Sequence, residues 1–363
     1  MSTYIIAEAG VNHNGDLQLA KNLVDIAKNA EANAVKFQTW KTEKVMKRNA
    51  PKAEYQITNT GNEETQYEME KKLELTYEEF IILKEYCDQK KIDFLSTPFD
   101  IPSAQFLIED LSLKTIKIPS GEITNGPLLY EIAKHKVQII LSTGMATVAD
   151  IQLALGVIAF GLLNDANKKP CIESFEQAYI SNEGQEILKQ YVTLLHCTTE
   201  YPAPYDSVNL HVIPSLKQTF GLEVGYSDHT EGNHVSLAAV TLGATVIEKH
   251  ITYDKNAVGP DHRASIEPKE LLELIKNVKE IEVALGKSVK VPDLTEIKNR
   301  SIARKSLVAA KDIKVGTYFN DDNLDMKRPG TGLSPMYYWD IQKIKATKDF
   351  VFDEEIQIHD CNN

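Results

Sequence analysis

Short β-branched runs and longer amphipathic stretches alternate eight times between residues 4 and 285, and few folds accept that order. The first three segments, Tyr4–Gly10, Leu17–Ala30 and Ala34–Trp40, read as strand, helix, strand. Further strands are expected at Asp93–Phe99, Thr115–Gly121, Val137–Gly144, Val192–Cys197, Glu223–Asp228 and Ala244–Ile251. Helical patterns such as Tyr77–Gln89, Val148–Gly161 and Pro268–Leu285 lie between them. Strands joined by helices run parallel, because a crossover needs that length. Eight such units suit a single (β/α)8 barrel, typically about 250 residues, better than a doubly wound sheet. The expected organisation is therefore a barrel over residues 1–286, a polar linker over 287–302 and a small β-rich module over 303–363. The module has runs at Ser306–Ala310 and Glu355–His359, with a turn at Pro329-Gly330-Thr331-Gly332, and its length is near the lower limit for independent stability.

Charge and cysteine usage narrow the class of partner. The chain has 52 acidic and 40 basic residues, a formal charge of −12, so its overall field repels nucleic acid and anionic membranes. A bound anion would have to be met locally. Cys87, Cys171, Cys197 and Cys361 lie far apart without CxxC spacing, which favours reduced thiols over a disulfide framework. The first residues lack a basic n-region, and no stretch approaches the roughly 20 apolar residues of a membrane span. A cytoplasmic protein with no nucleic-acid and no membrane partner is expected.

Two connections exceed ordinary loop length. Lys41–Leu75 leaves the C-terminal end of the second strand, where barrel sites are built, so a lid or substrate contact competes with a packing or dimer role. Leu162–Gln190 follows a helix and is expected at the opposite face, with no function assigned.

The strand ends carry the chemistry. Polar residues close nearly every strand: Glu8; Lys36 and Gln38; Ser96-Thr97; Lys117, Ser120 and Glu122; Ser142-Thr143; His196-Cys197; Ser227, Asp228 and His229; Glu248, Lys249 and His250. Side chains alternate faces along a strand, so Lys36 shares a face with Gln38, Ser227 with His229, and Glu248 with His250. An internal salt-bridge network explains one such strand; it does not account well for eight, because buried charges are costly unless paired or bound. His229 and His250 end adjacent strands, about 4.8 Å apart, and could share a divalent ion, with His196, His13, His211 and His262 as alternatives. Lys36 and Lys117, with Thr97, Ser120, Ser142 and Ser227, suit a phosphate and a carboxylate on one small ligand. No P-loop or GxGxxG is present, which argues against a nucleotide. A Schiff-base lysine is the competing chemistry.

Taken together, these motifs resemble the sialic acid synthase family, whose members condense phosphoenolpyruvate with an N-acylated mannosamine-type sugar. The resemblance runs through Ala7-Glu8-Ala9-Gly10-Val11-Asn12-His13-Asn14-Gly15, Val35-Lys36-Phe37-Gln38-Thr39, Ser96-Thr97-Pro98-Phe99 and Lys117-Ile118-Pro119-Ser120-Gly121-Glu122. It continues through Ser142-Thr143-Gly144-Met145, Leu195-His196-Cys197-Thr198, Tyr226-Ser227-Asp228-His229-Thr230, Glu248-Lys249-His250 and Gly259-Pro260-Asp261-His262. The tail resembles the antifreeze-like (SAF) domain through Ala303-Arg304-Lys305-Ser306-Leu307 and Lys327-Arg328-Pro329-Gly330-Thr331-Gly332. The segment Ala50–Gln56 resembles bacterial members that make nonulosonic acids for surface polysaccharides.

The resemblance implies a TIM barrel followed by an SAF domain, assembled as a domain-swapped homodimer. It implies that Lys36, Thr97, Lys117, Ser120, Ser142 and Ser227 hold phosphoenolpyruvate and that His229 and His250 bind Mn2+ or Mg2+. Sugar contacts are implied for Glu8, Gln38, Glu122, Tyr201 and Asp261, with Arg328 reaching in from the other subunit. Glu8, Glu122, His229 and His250 are the implied catalytic groups, Glu122 either moving a proton or anchoring the sugar. Thr199 departs from members with an asparagine there. The implied activity is N-acetylneuraminate synthesis from N-acetylmannosamine. The alternative within the family is N,N'-diacetyllegionaminate synthesis from 2,4-diacetamido-2,4,6-trideoxymannose. The reading from another class is a non-catalytic sugar- or ice-binding protein.

Overall fold

The computed structural model describes residues 2–52, 54–61, 64–165 and 168–361. Ala53, within the Ala50–Gln56 motif, and Asn62, within the first long connection, lie outside the described residues, as do residues 166 and 167 of the second.

Eight parallel strands follow the expected order: β1 (Tyr4–Gly10), β2 (Ala34–Thr39), β3 (Asp93–Pro98), β4 (Thr115–Ile118), β5 (Gln138–Ser142), β6 (Val192–Cys197), β7 (Glu223–Asp228) and β8 (Val246–His250). Hydrogen bonds join them in the order β3-β2-β1-β8-β7-β6-β5-β4, and the two end strands, β3 and β4, lie against each other to close the cylinder. The architecture is a TIM-like barrel. The outward residues of the strands and the inner faces of the helices form one continuous apolar layer, including Val35, Phe37, Ile116, Leu141 and Leu194.

The interior is layered by the two-residue period of the strands. Ile6, Ala34, Leu95, Ile140, Leu195 and Val246 form a small apolar plug. Two residues further along each of those strands stand Glu8, Lys36, Thr97, Ser142, Cys197 and Glu248. The barrel therefore changes from hydrocarbon to charge within one pleat. Gly225 belongs to the plug layer of β7, where a Cβ would come within 2.5 Å of the Val246 carbonyl and 2.6 Å of Leu195. Only glycine lets the strands approach that closely there.

The Lys41–Leu75 connection folds as three short helices, Thr42–Val45, Glu54–Thr60 and Gln66–Leu73. The last is closed by a capping box of Thr65 with Glu68, and its Met69 and Leu73 pack on Val11 and Trp40. The Leu162–Gln190 connection holds the helices Ile172–Ile180 and Asn182–Tyr191, packed on the helix Val148–Leu163.

The chain divides into two compact units at Gly286. In the second, the stretch expected as a linker contains a helix, Leu294–Ala303, capped by Asp293 with Glu296. Strands β9 (Ser306–Ala309) and β10 (Leu324–Lys327) pair antiparallel around a core that includes Leu307, Phe319, Phe350 and Ile356. The run Glu355–His359 forms a single bridge, Glu355 to Val308, followed by a 3-10 turn instead of a strand. Among the described residues no helix is long and apolar enough to cross a membrane.

Candidate active site

A cavity of about 290 Å³ opens where the strands of the first unit end. Of the residues expected at the site, Glu8, Lys36, Gln38, Thr97, Lys117, Ser120, Ser142, Tyr201, Ser227, His229, His250 and Asp261 all line it. Two do not. Glu122 stands in the turn Ser120–Glu122, and its carboxylate accepts a 2.6 Å hydrogen bond from Asn125 of the same loop. Burial raises its pKa, so it is an acid held beside the cavity and not in its lining. Arg328 follows β10 in the second unit and is exposed there.

Strand register explains how residues remote in sequence meet. Glu8 is the Cα partner of Lys36 on one side and of His250 on the other, and Ser227 is the partner of Glu248. Glu248 is the centre of this layer. Its carboxylate lies 3.2 Å from Lys117 Nζ and 3.5 Å from Lys36 Nζ, and accepts a 2.7 Å hydrogen bond from Ser227 Oγ. Lys36 also lies 2.6 Å from Glu8 and donates to Thr97 Oγ1 at 3.1 Å. Burial alone would raise Glu248, but Lys117 and Lys36 beside it hold its carboxyl well below the usual range. Burial pushes Glu8 up, so when one carboxyl of the cluster takes a proton it is Glu8.

This qualifies the expected cation cradle. Lys36 and Lys117 are not a bare positive patch, because Glu8 and Glu248 answer them. Ser142 Oγ is buried without a hydrogen-bond partner, and Ser120 Oγ accepts from Gly144 N at 3.0 Å. A buried hydroxyl without a partner among the described residues, in the same cavity as two lysines, suits a phosphate or carboxylate oxygen. Gly144 keeps the approach open, since a Cβ there would stand 2.3 Å from Thr199 Oγ1 and 2.7 Å from Ser120 Oγ.

His229 and His250 face each other with ring centroids 5.7 Å apart, and Tyr201 stacks at 4.2 Å from His229. His229 Nδ1 lies 2.6 Å from the Thr198 carbonyl, which assigns its proton to Nδ1 and leaves a lone pair on Nε2, 3.2 Å from Ser227 Oγ, whose own proton goes to Glu248. Burial lowers His229 to about 4, and burial with His229 and Lys36 nearby lowers His250 well below the ordinary value. His250 Nδ1 is buried and unbonded. Neutral imidazoles that keep a nitrogen lone pair have the donor chemistry a divalent cation needs. Among the described residues no group of three or more His, Cys, Asp or Glu is placed to hold a metal ion.

Burial of neutral histidines also predicts an acid response. His13 and His229 are each held at about 4 in the folded chain, against 6.5 ordinarily. Their folded values are depressed, so the unfolded chain binds more protons between those limits, and stability is full above 6.5 and falls as pH drops towards 4. Each contributes at most about 1.4 kcal/mol per pH unit. Urea unfolding in chelator at pH 7, 5.5 and 4.5 should show this loss.

Several lining residues were not expected. Glu248 carried a signal, its two-residue spacing from His250, but was read only as part of a face. Gln56, Gln66 and Glu70 come from the long connection, whose lack of period gave no hint of which side chains point inward. Val45 and Met46 of the same connection also line the cavity. None of the described residues of the second long connection does.

The NeuB family model matches residues 23–290, and a SAF domain model matches residues 304–344. The N,N'-diacetyllegionaminic acid synthase of Campylobacter jejuni is 49% identical over 358 residues, covering 98% of this chain and 99% of the relative. The enzyme of the same name from Legionella pneumophila is 44% identical, covering 92% and 88%. A crystal structure of N-acetylneuraminic acid (sialic acid) synthetase from Leptospira borgpetersenii, in complex with citrate, superposes with a TM-score of 0.65 at 33% identity, covering 82% of this chain and 90% of that one.

Proposed function

This chain belongs to the NeuB family, and from that premise we propose that it condenses phosphoenolpyruvate with 2,4-diacetamido-2,4,6-trideoxymannose and water, giving N,N'-diacetyllegionaminate and phosphate. The observation that carries this reading is identity of 49% and 44%, over nearly the whole chain, to two enzymes of that name. It replaces N-acetylmannosamine, the sugar favoured from the motifs alone, which do not distinguish the two. The lysine and hydroxyl cradle beside two neutral histidines supports a synthase over a non-catalytic sugar-binding protein, since sugar binding alone does not call for an anion site there.

In this proposal Lys36, Lys117, Thr97, Ser120, Ser142 and Ser227 hold the phosphate and carboxylate of phosphoenolpyruvate. Fixing both ends aims C3 at the aldehyde carbon of the open-chain sugar, which supplies the proximity contribution. Gln38, Tyr201 and Asp261 orient the sugar. A divalent cation, Mn2+ or Mg2+, held by His229 Nε2 and His250 would polarise the aldehyde oxygen. The new bond joins phosphoenolpyruvate C3 to the sugar C1, water adds at C2, and phosphate leaves with C–O cleavage. Glu8, pushed up by burial, is the acid–base candidate for the water's proton. Glu122 joins the site if a bound sugar draws it from Asn125. The reading extends to a homodimer exchanging C-terminal units, with Arg328 of one copy meeting the sugar bound by the other.

Phosphate release should occur with phosphoenolpyruvate, manganese and the diacetamido sugar at a kcat/KM at least about tenfold above that with N-acetylmannosamine. Preference for N-acetylmannosamine would return the assignment to N-acetylneuraminate synthesis. Release with neither sugar would refute the synthase reading.

A further inference from the structure

One wall of the cavity carries the carboxyls of Glu70 and Asp261, and among the described residues neither is paired with a lysine or arginine. The helix Gln66–Leu73 is clamped by its capping box, and Met69 and Leu73 pin it to Val11 and Trp40. Gln66 and Glu70, four residues apart and so on one face, line the cavity. Asn59 Nδ2 donates to the Pro260 carbonyl at 2.7 Å, tying the same connection to the segment that bears Asp261. The wall is thus a built surface held at both ends.

Glu70 is the anomaly in it. Its carboxyl makes no hydrogen bond and no ion pair among the described residues, and the adjacent Lys71 is spent on Glu43 and Glu74. A half-buried carboxyl left without a protein partner in a cavity wall is free to meet a polar group of a ligand. Burial and the nearby Asp261 push Glu70 up to about 7, which suits a neutral polar ligand group that can both donate and accept.

The order of groups along the wall indicates which part of the ligand meets Glu70. Asp261 lies 3.8 Å from His250, while Glu70 belongs to the connection that Asn59 ties to Pro260, beside Asp261, and lines the same cavity from outside the strand ends that carry the histidines. The reacting aldehyde is C1 of the sugar, so substituents on C2 fall nearest the histidines and those on C4 further along the wall.

We propose that Glu70 is a specificity-determining residue that hydrogen-bonds the amide on C4 of the sugar, the group by which a 2,4-diacetamido sugar differs from N-acetylmannosamine. This rests on the functional reading above for the identity of the sugar, but it is measured separately. With the full chain, phosphoenolpyruvate and manganese, Glu70→Met should lower kcat/KM for the diacetamido sugar by about tenfold to a hundredfold. The KM for phosphoenolpyruvate and kcat/KM for N-acetylmannosamine should stay within about threefold, and Glu70→Gln should recover most of the loss. Glu70→Ser serves as a second truncation if the methionine variant folds poorly. Equal losses for both sugars, or none in either truncation, would overturn the assignment. The wild-type preference tests the function; the change in the ratio of the two sugars between wild type and variant tests Glu70.

Discussion

His250→Ala is expected to reduce turnover by about two to three orders of magnitude while the fold survives. The imidazole has an unbonded buried nitrogen, so its removal breaks no hydrogen bond and opens only a small void beside Tyr201. The Lys36 and Lys117 cradle is untouched, so phosphoenolpyruvate should still bind. His229→Ala should behave alike, with some added loosening because the bond to the Thr198 carbonyl is lost. Calorimetric titration with Mn2+ should show weakened binding in both variants, and circular dichroism should show an intact barrel. Full activity in both would reduce the histidines to structural residues.

Asp228→Ala is expected to cost about 3–5 kcal/mol of stability. Asp228 and Lys249 point outward from the strands that carry the two histidines, and they form a 3.0 Å ion pair with both side chains 0% exposed. Asp228 also accepts from Thr230 N at 2.8 Å, Thr230 Oγ1 at 2.7 Å and Ser236 Oγ at 2.5 Å, while Lys249 donates to the Thr230 carbonyl at 2.6 Å. Truncating the aspartate leaves an ammonium in hydrocarbon with one carbonyl for company. The double variant Asp228→Leu, Lys249→Met should recover much of the loss, because it removes the unpaired charge together with its partner. Urea unfolding of the three proteins checks this; a loss below about 1 kcal/mol for Asp228→Ala would show that solvent reaches the pair.

The barrel was legible because its signal repeats. Each strand is a short β-branched run, each helix has its own period, and β1, β6 and β7 begin and end where the alternation stops. The plug and the charged layer above it follow from the same period, which is why Glu8, Lys36, Thr97, Ser142 and Ser227 could be named from spacing and motif. Glu122 shows the limit. It closes a strand-like run, yet the chain turns at Ser120, and a local hydrogen bond to Asn125 takes the carboxyl out of the lining. Glu70 shows the converse, since nothing in an aperiodic connection marks the residue that will line the same cavity as Asp261. The Leu294–Ala303 helix within the expected linker was signposted by Asp293 and Glu296, a capping pair that the surrounding glycine and proline obscured.

What could be read from residue order was whatever depends on near neighbours: the alternation of strands and helices, the face each strand residue takes, and the family its motifs resemble. What required the closed barrel was charge balance. Lys36 and Lys117 read as a positive cradle in isolation, but β8, which meets β1 only when the cylinder closes, sets Glu248 against both, in addition to the Glu8 that β1 places beside Lys36. Coulomb energy in a buried layer depends on distances of a few ångströms between residues more than 200 positions apart, and only tertiary structure sets those distances.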